Sequence, residues 1–359
     1  MNTNKKTPRV AVIVVPYSSL KYLPECFESL ARLNYPTENL KIMAVDNKSP
    51  EPEMEYLRAH WPSVEIVGDG KNLGYAGGNN LAIKDVLARG AAETAEGYDY
   101  VWILNPDTVV EPDSLSRLVA ACEADEKIGL AQPKILIHDQ PDLIQTAGNK
   151  IHYLGLGYSG GYKTRADSLT GGPQAVAYAS GSAVLIRRAV LEQVGLFTEE
   201  FFMYHEDLDL GWRAWLCGWK SVVVPTAVIY HKYSFSRNNH KYFWMERNRW
   251  WVLLKNYRWR TLLTLAPALL VFEICICGQA ILGGWLGYKI KSYFAIFKDS
   301  AWLWRARQDL QKKRVLSDHD FLLLTTGVLE FPDFDNFAVR FIFKFFAVDR
   351  KLVLKTIKW

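Results

Sequence analysis

Val10-Ala11-Val12-Ile13-Val14-Val15 is an unbroken apolar run, four valines and an isoleucine among six residues. Continuous β-branched sequence of this kind reads as a strand buried on both faces, because a half-exposed strand would alternate with polar residues. A stretch of helical period follows, from about Leu20 to Leu33. The order then repeats: a strand at KIMAVD (41 to 46), a helix near 52 to 60, a strand at VEIVG (64 to 68), a helix near 77 to 89 and a strand at YVWILN (100 to 105). Strands alternating with helices predict an α/β fold, a mostly parallel sheet flanked by helices on both faces.

Ligands of such sheets bind beyond the C-terminal strand ends. Those ends are polar in this chain: Pro16-Tyr17-Ser18, Asp46-Asn47 and Asn105-Pro106-Asp107. From about 126 to 235 the pattern changes to shorter, Gly-punctuated strands, with a helical stretch at 207 to 217. After 240 it becomes Trp-rich and basic, then strongly apolar (261 to 288). A charged connector near 304 to 320 and a basic aromatic tail, 337 to 359, complete the chain. At 359 residues it is longer than one usual domain, so a larger catalytic domain with a smaller C-terminal helical region is expected.

With 49% hydrophobic and 23% charged residues the composition is that of an ordered protein. The net charge of +5 comes from spread rather than blocked Lys and Arg, which argues against nucleic acid as a partner. Five cysteines without paired spacing indicate neither a zinc site nor a disulfide framework. The polar start MNTNKKTPRV has no signal-peptide pattern, so the expected location is cytoplasmic.

Five groups of residues are candidates for chemistry, each with a structural alternative. Asp46 ends a buried strand, where it would accept a hydrogen bond from a base or ribose; DNKSPE also suits a turn. Asn72-Leu73-Gly74-Tyr75-Ala76-Gly77-Gly78-Asn79-Asn80 opens a helix with glycines, and its amides would face an anion such as a diphosphate. It has neither the Lys-Ser/Thr ending of a P-loop nor the GxGxxG spacing of a dinucleotide site. Asp107, in Asn105-Pro106-Asp107-Thr108, offers a hard oxygen to magnesium or manganese, although NPDT also makes a type I turn. Glu206, Asp207 and Asp209 place three carboxylates at a helix start, suited either to capping or to a general base behind the aromatic FFMYH. His231 ends the run VVVPTAVIYH and is either a metal ligand or a structural histidine.

In this order the pieces VIVVPYSS, VDNKS, NLGYAGGNN, WILNPDTVV, ASGSAVLIRRAVLEQVGLFTEEFFMYHEDLDLGWRAW, YHKYSFSR and the pair Arg247-Asn248 resemble the family-two inverting glycosyltransferases of GT-A fold. Within them, the bacterial rhamnosyltransferase-like branch of polysaccharide and cell-wall biosynthesis is the most similar. The resemblance covers roughly residues 8 to 255. It implies a catalytic domain over 1 to 240, with a nucleotide-sugar half to about 125 and an acceptor half beyond it. A helical, membrane-proximal region follows over 241 to 359.

The resemblance further implies that Pro16, Tyr17 and Asp46 line the nucleotide pocket and that Asn72, Gly74, Gly78 and Asn79 hold the base and diphosphate. Asp107 would bind the metal, His231 would be its late ligand, Asp207 the general base and Glu206 an orienting neighbour. Asn105 stands where the family's D-x-D has its first carboxylate. Glu246-Arg247-Asn248-Arg249-Trp250 lacks the Gln of the processive synthases' Gln-x-x-Arg-Trp, which favours adding one or a few sugars.

The implied partners are a nucleotide-diphosphate sugar, first of all thymidine-diphosphate rhamnose, and a glycan or lipid-linked glycan acceptor. The stretch 261 to 288 carries Glu273, Gln279 and Pro267, so a hairpin lying on the inner face of the cell membrane is expected rather than a span. A packed helical domain with a homodimer interface is the alternative. Two other functions compete: a nucleotidyltransferase, disfavoured because VVPYSS is not its basic Gly-rich start, and a non-catalytic sugar- or lipid-binding protein of the same fold.

Overall fold

The structure is a computed structural model describing residues 6–68, 70–91, 97–232, 239–298, 300–329 and 337–359. The opening run forms β1 (Val10–Val14), followed by α1 (Leu23–Ala31), β2 (Leu40–Val45), α2 (Glu53–His60), β3 (Glu65–Val67), α3 (Gly74–Ala91), β4 (Tyr100–Leu104), β5 (Thr108–Val110) and α4 (Ser114–Ala124). The second half supplies β6 (Ile128–Ile137), β7 (Gln140–Thr146), β8 (Asn149–Ile151), β9 (Gly157–Ser159), β10 (Gln174–Ala175), β11 (Ala183–Arg187), α5 (Arg188–Val194), α6 (Glu206–Leu216) and β12 (Lys220–His231).

The main sheet runs β3-β2-β1-β4-β11-β6-β12-β10. Its first four strands are parallel, β11 is antiparallel to both β4 and β6, and β6 is parallel to β12. Every residue of β1 and β4 is buried, as the continuous apolar runs required. Alternate side chains of β1 serve two cores. Val10, Val12 and Val14 pack with α1 and α4; Ala11 and Ile13 pack with α3, α6 and the helices that follow.

Those helices are α7 (Lys241–Asn256), α8 (Trp259–Leu282), α9 (Leu286–Lys298), α10 (Ser300–Lys313), α11 (Asp318–Leu323) and α12 (Phe337–Thr356). Their buried faces, through Trp251, Leu265, Phe272 and Phe346, continue the core beneath α6.

Several local expectations are corrected. The helix expected from residue 77 begins at Gly74, whose φ of +68° lets the chain turn in tightly. β6 and β12 are long, at 10 and 12 residues, and continue through Pro133 and Pro225, where their pairing shifts register between Val224 and Val228. Only Ala183–Arg187 of VAYASGSAVLIRR is a strand. The charged connector at 304 to 320 is largely helix, its apolar side held by Leu303 and Leu310.

The apolar stretch forms two helices broken at Gly283-Gly284, and α8 is the one described helix long and apolar enough to cross a membrane. Glu273, which looked costly there, points inward. With Glu246 it holds the fully buried Arg249 and Lys289 in a four-charge cluster joining α7, α8 and α9, with Arg249 Nη2 3.0 Å from Glu246 and Lys289 Nζ 2.7 Å from Glu273. Burial alone would raise the Glu246 carboxyl; the two cations outweigh it and hold it at about 2.

Candidate functional site

The C-terminal ends of β1, β2 and β4 meet the Gly-rich loop. Pro16 is buried and Tyr17 is exposed just past β1. Asp46 caps β2: its amide donates to Val67 O at 2.7 Å, and its Oδ1 accepts from Lys48 N at 3.2 Å. A Cβ on Gly68 would lie 2.7 Å from the Asp46 backbone carbonyl oxygen, so glycine lets the end of β3 approach the backbone at the end of β2 this closely.

Asn47, named in the sequence only as a strand-end residue, organises the loop. Its Oδ1 accepts from Leu73 N at 2.8 Å and its Nδ2 donates to Gly74 O at 3.3 Å. Asn72 Oδ1 accepts from Gly74 N at 3.0 Å. A Cβ on Gly78 would come within 2.9 Å of Val15, so the first turn of α3 presses on the end of β1. Asn79 donates to Tyr75 O at 2.9 Å while its buried Oδ1 has no protein partner.

Asn105-Pro106-Asp107 turns the chain from β4 into β5. Antiparallel pairing of β5 with β12 sets His231 opposite Thr108, which brings His231 Nε2 to 3.0 Å from Asp107 Oδ1. The other ring nitrogen, Nδ1, lies 2.9 Å from Gln145 Oε1. Gln145 Oε1, an amide oxygen, accepts from Nδ1, and the ring thereby presents Nε2 to the Asp107 carboxylate. A carboxylate oxygen and an imidazole nitrogen converging in this way are a fitting pair of ligands for a divalent cation. Burial works to raise the Asp107 carboxyl, and contact with His231 more than offsets it, leaving it below the ordinary carboxylate range. Among the described residues no third His, Cys, Asp or Glu joins them. Asn105 supplies no carboxylate; its backbone N–H donates to Ser182 O at 2.9 Å.

The two adjacent carboxyls at the start of α6 differ. Asp207 accepts backbone hydrogen bonds on both oxygens, from Gly181 N at 2.9 Å and Leu208 N at 2.7 Å. Burial raises its carboxyl, and those bonds oppose the rise. Glu206 is buried with Oε2 unpartnered, and desolvation followed by the Asp207 charge pushes it well above the ordinary carboxylate value. The backbone donors favour the charged form of Asp207 over that of Glu206. Asp209, grouped with them in the sequence, belongs elsewhere. It is fully buried between Arg213 Nε (2.9 Å) and Lys255 Nζ (2.7 Å), which outweigh burial and hold it at about 2.

The segment before α6 is strained: Phe202, Tyr204 and His205 have φ of 63°, 66° and 69°. Asn248 holds it, its Nδ2 lying 3.0, 2.9 and 2.7 Å from the carbonyls of Phe201, Met203 and Tyr204. Arg247 donates to Glu200 O at 2.6 Å. In the sequence this pair is marked only as an Arg-Asn dipeptide amid aromatic residues. Of the YHKYSFSR motif, Tyr233 to Arg237 lie outside the described residues.

Burial pushes the His205 imidazole down to about 4 and that of His152, stacked 5.5 Å from Phe272, to about 3. The unfolded chain therefore binds more protons than the folded one, and stability is full above pH about 6.5 and lost as pH falls toward 4. For His205 alone the loss is about 3 kcal/mol at about 1.4 kcal/mol per unit. Melting temperature should drop steadily between pH 7 and 4.5; a flat profile would contradict these buried, neutral rings.

Two bridges unite the pieces. Gly74 packs so tightly that a Cβ there would lie inside Phe202, and Ala76 N donates to Phe202 O at 3.1 Å, tying the Gly-rich loop to the Asp207 segment. Tyr75 OH donates to Gly181 O while Gly181 N donates to Asp207, and the adjoining Ser182 carbonyl receives Asn105 N. One short segment, Gly181-Ser182, thereby links the Gly-rich loop, the Asp107 turn and Asp207.

Residues 8–252 match the family described as Glycosyltransferase like family 2. The chain belongs to that family. This glycosyltransferase is 34% identical over 242 residues, 63% of its length and 77% of the relative's, to the N-acetylglucosaminyl-diphospho-decaprenol L-rhamnosyltransferase of Mycobacterium tuberculosis. It is 25% identical over 231 residues, 62% of its length and 83% of the relative's, to rhamnosyltransferase WbbL of Escherichia coli K12. In fold it is similar to the crystal structure of GalNAc-T7 with UDP, GalNAc and Mn2+, with a TM-score of 0.52 and 17% identity. That match covers 70% of this chain and about half (48%) of the other. The fold is GT-A, and the chain is an inverting hexosyltransferase of family two that uses a nucleotide sugar in glycan biosynthesis.

Proposed function

We propose that this glycosyltransferase moves rhamnose from thymidine-diphosphate rhamnose to a hydroxyl of a lipid-linked or cell-surface polysaccharide acceptor, adding one or a few sugars at the inner face of the cell membrane. The observation that carries the reading is Asp207, a carboxylate fixed through the Gly181-Ser182 segment to both the diphosphate loop and the Asp107 turn. Similarity to two proteins named rhamnosyltransferases supports the donor.

Asp207 takes the proton from the acceptor hydroxyl as its oxygen attacks the anomeric carbon from the side opposite the leaving diphosphate. Configuration inverts in that single displacement. Glu206, neutral, donates a hydrogen bond that orients the acceptor. Asp46, Pro16 and Tyr17 receive the nucleotide, and the amides around Gly74 and Gly78 face the diphosphate. Asp107 and His231 would hold magnesium or manganese, a cation that neutralises charge on the departing diphosphate. The Mn2+ in the GalNAc-T7 structure agrees with this reading.

Membrane association is supported by exposed apolar side chains on α8 and α9, among them Leu263, Ile274, Leu282, Phe294 and Phe297, with Lys291 and Lys298 interspersed. The double variant Phe294→Ser, Phe297→Ser should reduce flotation with anionic phospholipid vesicles severalfold. Unchanged flotation, or a wild-type dimer in sedimentation that the same variant dissociates, would assign the face to another copy of the chain.

Thermal shifts with a panel of nucleotide diphosphates and nucleotide sugars, each with and without manganese or magnesium, test the function. At a hundredfold its dissociation constant a ligand stabilises by about 2.7 kcal/mol, a shift of several degrees. A metal-dependent shift with thymidine diphosphate supports the proposal, a shift with a different nucleotide replaces the donor, and none from folded protein favours a binding role.

A further inference from the structure

Gln132 lies in the middle of β6 with no exposed surface, in a stretch, Ile128 to Pro133, whose other residues are buried and apolar. A buried side-chain amide costs stability unless its groups are bonded, and an apolar residue of this size would serve the sheet as well. Its main partner lies outside the strand ladder. Pairing of β6 with β11 stops at Ala131 and Leu185, so the chain that leads into β11 has no register partner on β6. There Gln132 Oε1 accepts from Ser180 N at 2.7 Å, across 48 positions of sequence, while its Nε2 donates to Pro133 O at 3.3 Å.

Ser180 opens the Gly181-Ser182 segment that joins the Gly-rich loop, the Asp107 turn and Asp207. The Ser180 and Ser182 hydroxyls lie 2.9 Å apart, Ala183 N donates to Ser180 O at 3.1 Å, and Gly181 N donates to Asp207 Oδ2 at 2.9 Å. Little space is left around them: a Cβ on Gly181 would lie 2.8 Å from the Tyr75 hydroxyl and 3.4 Å from Asp207 Cβ. The amides of Ser180 and Gly181 are separated by one Cα and one planar peptide group, so a displacement of the first is passed to the second. The Gly181 N–H is one of the donors that oppose the rise burial imposes on the Asp207 carboxyl. The titratable groups facing that carboxylate are Tyr75 of α3, Tyr178 of the segment before β11 and Glu206 of α6; burial raises both tyrosines well above their ordinary value, so they stay neutral at and below neutral pH.

We propose that Gln132 is a positioning residue for the transfer reaction: by fixing Ser180 it aims the Gly181 N–H at Asp207 and holds that carboxylate where it meets the acceptor hydroxyl. This rests on the transferase reading above and adds to it a residue from the interior of the sheet.

Gln132→Asn, one methylene shorter, withdraws the oxygen from Ser180 and keeps an amide in the sheet. With thymidine-diphosphate rhamnose and N-acetylglucosaminyl-diphospho-polyprenol in vesicles, its kcat should fall about tenfold or more, the kind of loss a slightly misplaced group produces. Its dissociation constant for thymidine diphosphate should stay within about twofold of wild type, because the lost bond acts on the base and not on the nucleotide. The acid limb of its kcat/KM profile should move up by about half a pH unit or more, since a weakened Gly181 bond no longer favours the charged form of Asp207. Gln132→Met, which removes the oxygen altogether, should do the same, and Gln132→Glu, which keeps an accepting oxygen, should recover most of the rate. Val223→Ala, at the position paired with Gln132 on β12, loosens the same part of the sheet without touching Ser180. It should lower Tm at least as much as Gln132→Asn, yet leave kcat within about twofold and the acid limb in place. An unmoved acid limb in Gln132→Asn and Gln132→Met, nucleotide binding lost in step with kcat, or the same kinetic changes in Val223→Ala would overturn the proposal. A wild type that binds no nucleotide and transfers no sugar would refute the transferase reading instead, and the positioning role with it.

Discussion

Asp207→Asn is expected to slow transfer by about a hundredfold or more, the usual contribution of a general base, while nucleotide-diphosphate binding persists. The amide keeps the size and an oxygen for one of the two backbone donors, so the protein should fold. The neighbouring substitution gives the sharper contrast. Glu206 is buried with an unpartnered oxygen, and desolvation and the Asp207 charge raise it well above the ordinary carboxylate value, which favours its neutral form; Glu206→Gln keeps that shape and charge. Turnover of that variant should stay within about tenfold of wild type. Steady-state rates of the two variants at pH 7.5 decide the matter, and a Glu206→Gln loss as deep as that of Asp207→Asn would reverse the assignment. Because burial raises Asp207, the acid limb of the rate profile should lie above pH 4, with apparent values that belong to the pair.

Asp107→Asn should abolish the metal-dependent part of nucleotide binding and reduce transfer by about a hundredfold, the scale on which removing one preorganised charge from a transition state is felt. Its oxygen still faces His231, so stability should change little. Manganese titration with nucleotide-diphosphate thermal shift as readout measures the effect. Metal dependence equal to wild type would mean that Asp107 and His231 form a structural pair, the NPDT turn having no further task. His231→Gln, which keeps a polar group but removes the ring nitrogen, should weaken metal dependence in the same direction.

Much of the donor half was legible because buried parallel strands announce themselves by unbroken apolar sequence and place chemistry at their ends. Asp46 and Asp107 were singled out in that way, and the loop at 72 to 80 by its glycines. The ring of His231 meets Asp107 through antiparallel pairing of β5 and β12, a contact across 124 positions that no local pattern encodes. Asp209 was misleading because its partner Lys255 lies 46 positions further along the sequence; a carboxylate at a helix start looks the same whether it faces a cavity or a buried cation. Asn47 and Asn248 were passed over for the opposite reason. Their importance lies in the backbone groups they hold, and an asparagine's reach to distant carbonyls leaves no spacing to recognise. Glu273 pairs with Arg249 and Lys289, 24 and 16 positions away, so α8 presents apolar side chains outward and turns its charge inward, which the composition of the helix alone does not reveal.

Product analysis with the nucleotide sugar whose base stabilises the protein tests the central claim most directly. The anomeric configuration of the new linkage is read by NMR, and the released nucleotide is quantified beside it. The account predicts one inverted glycosidic linkage per nucleoside diphosphate released, with both lost in Asp207→Asn. Retention of configuration, or release of a nucleoside monophosphate in place of the diphosphate, would contradict it.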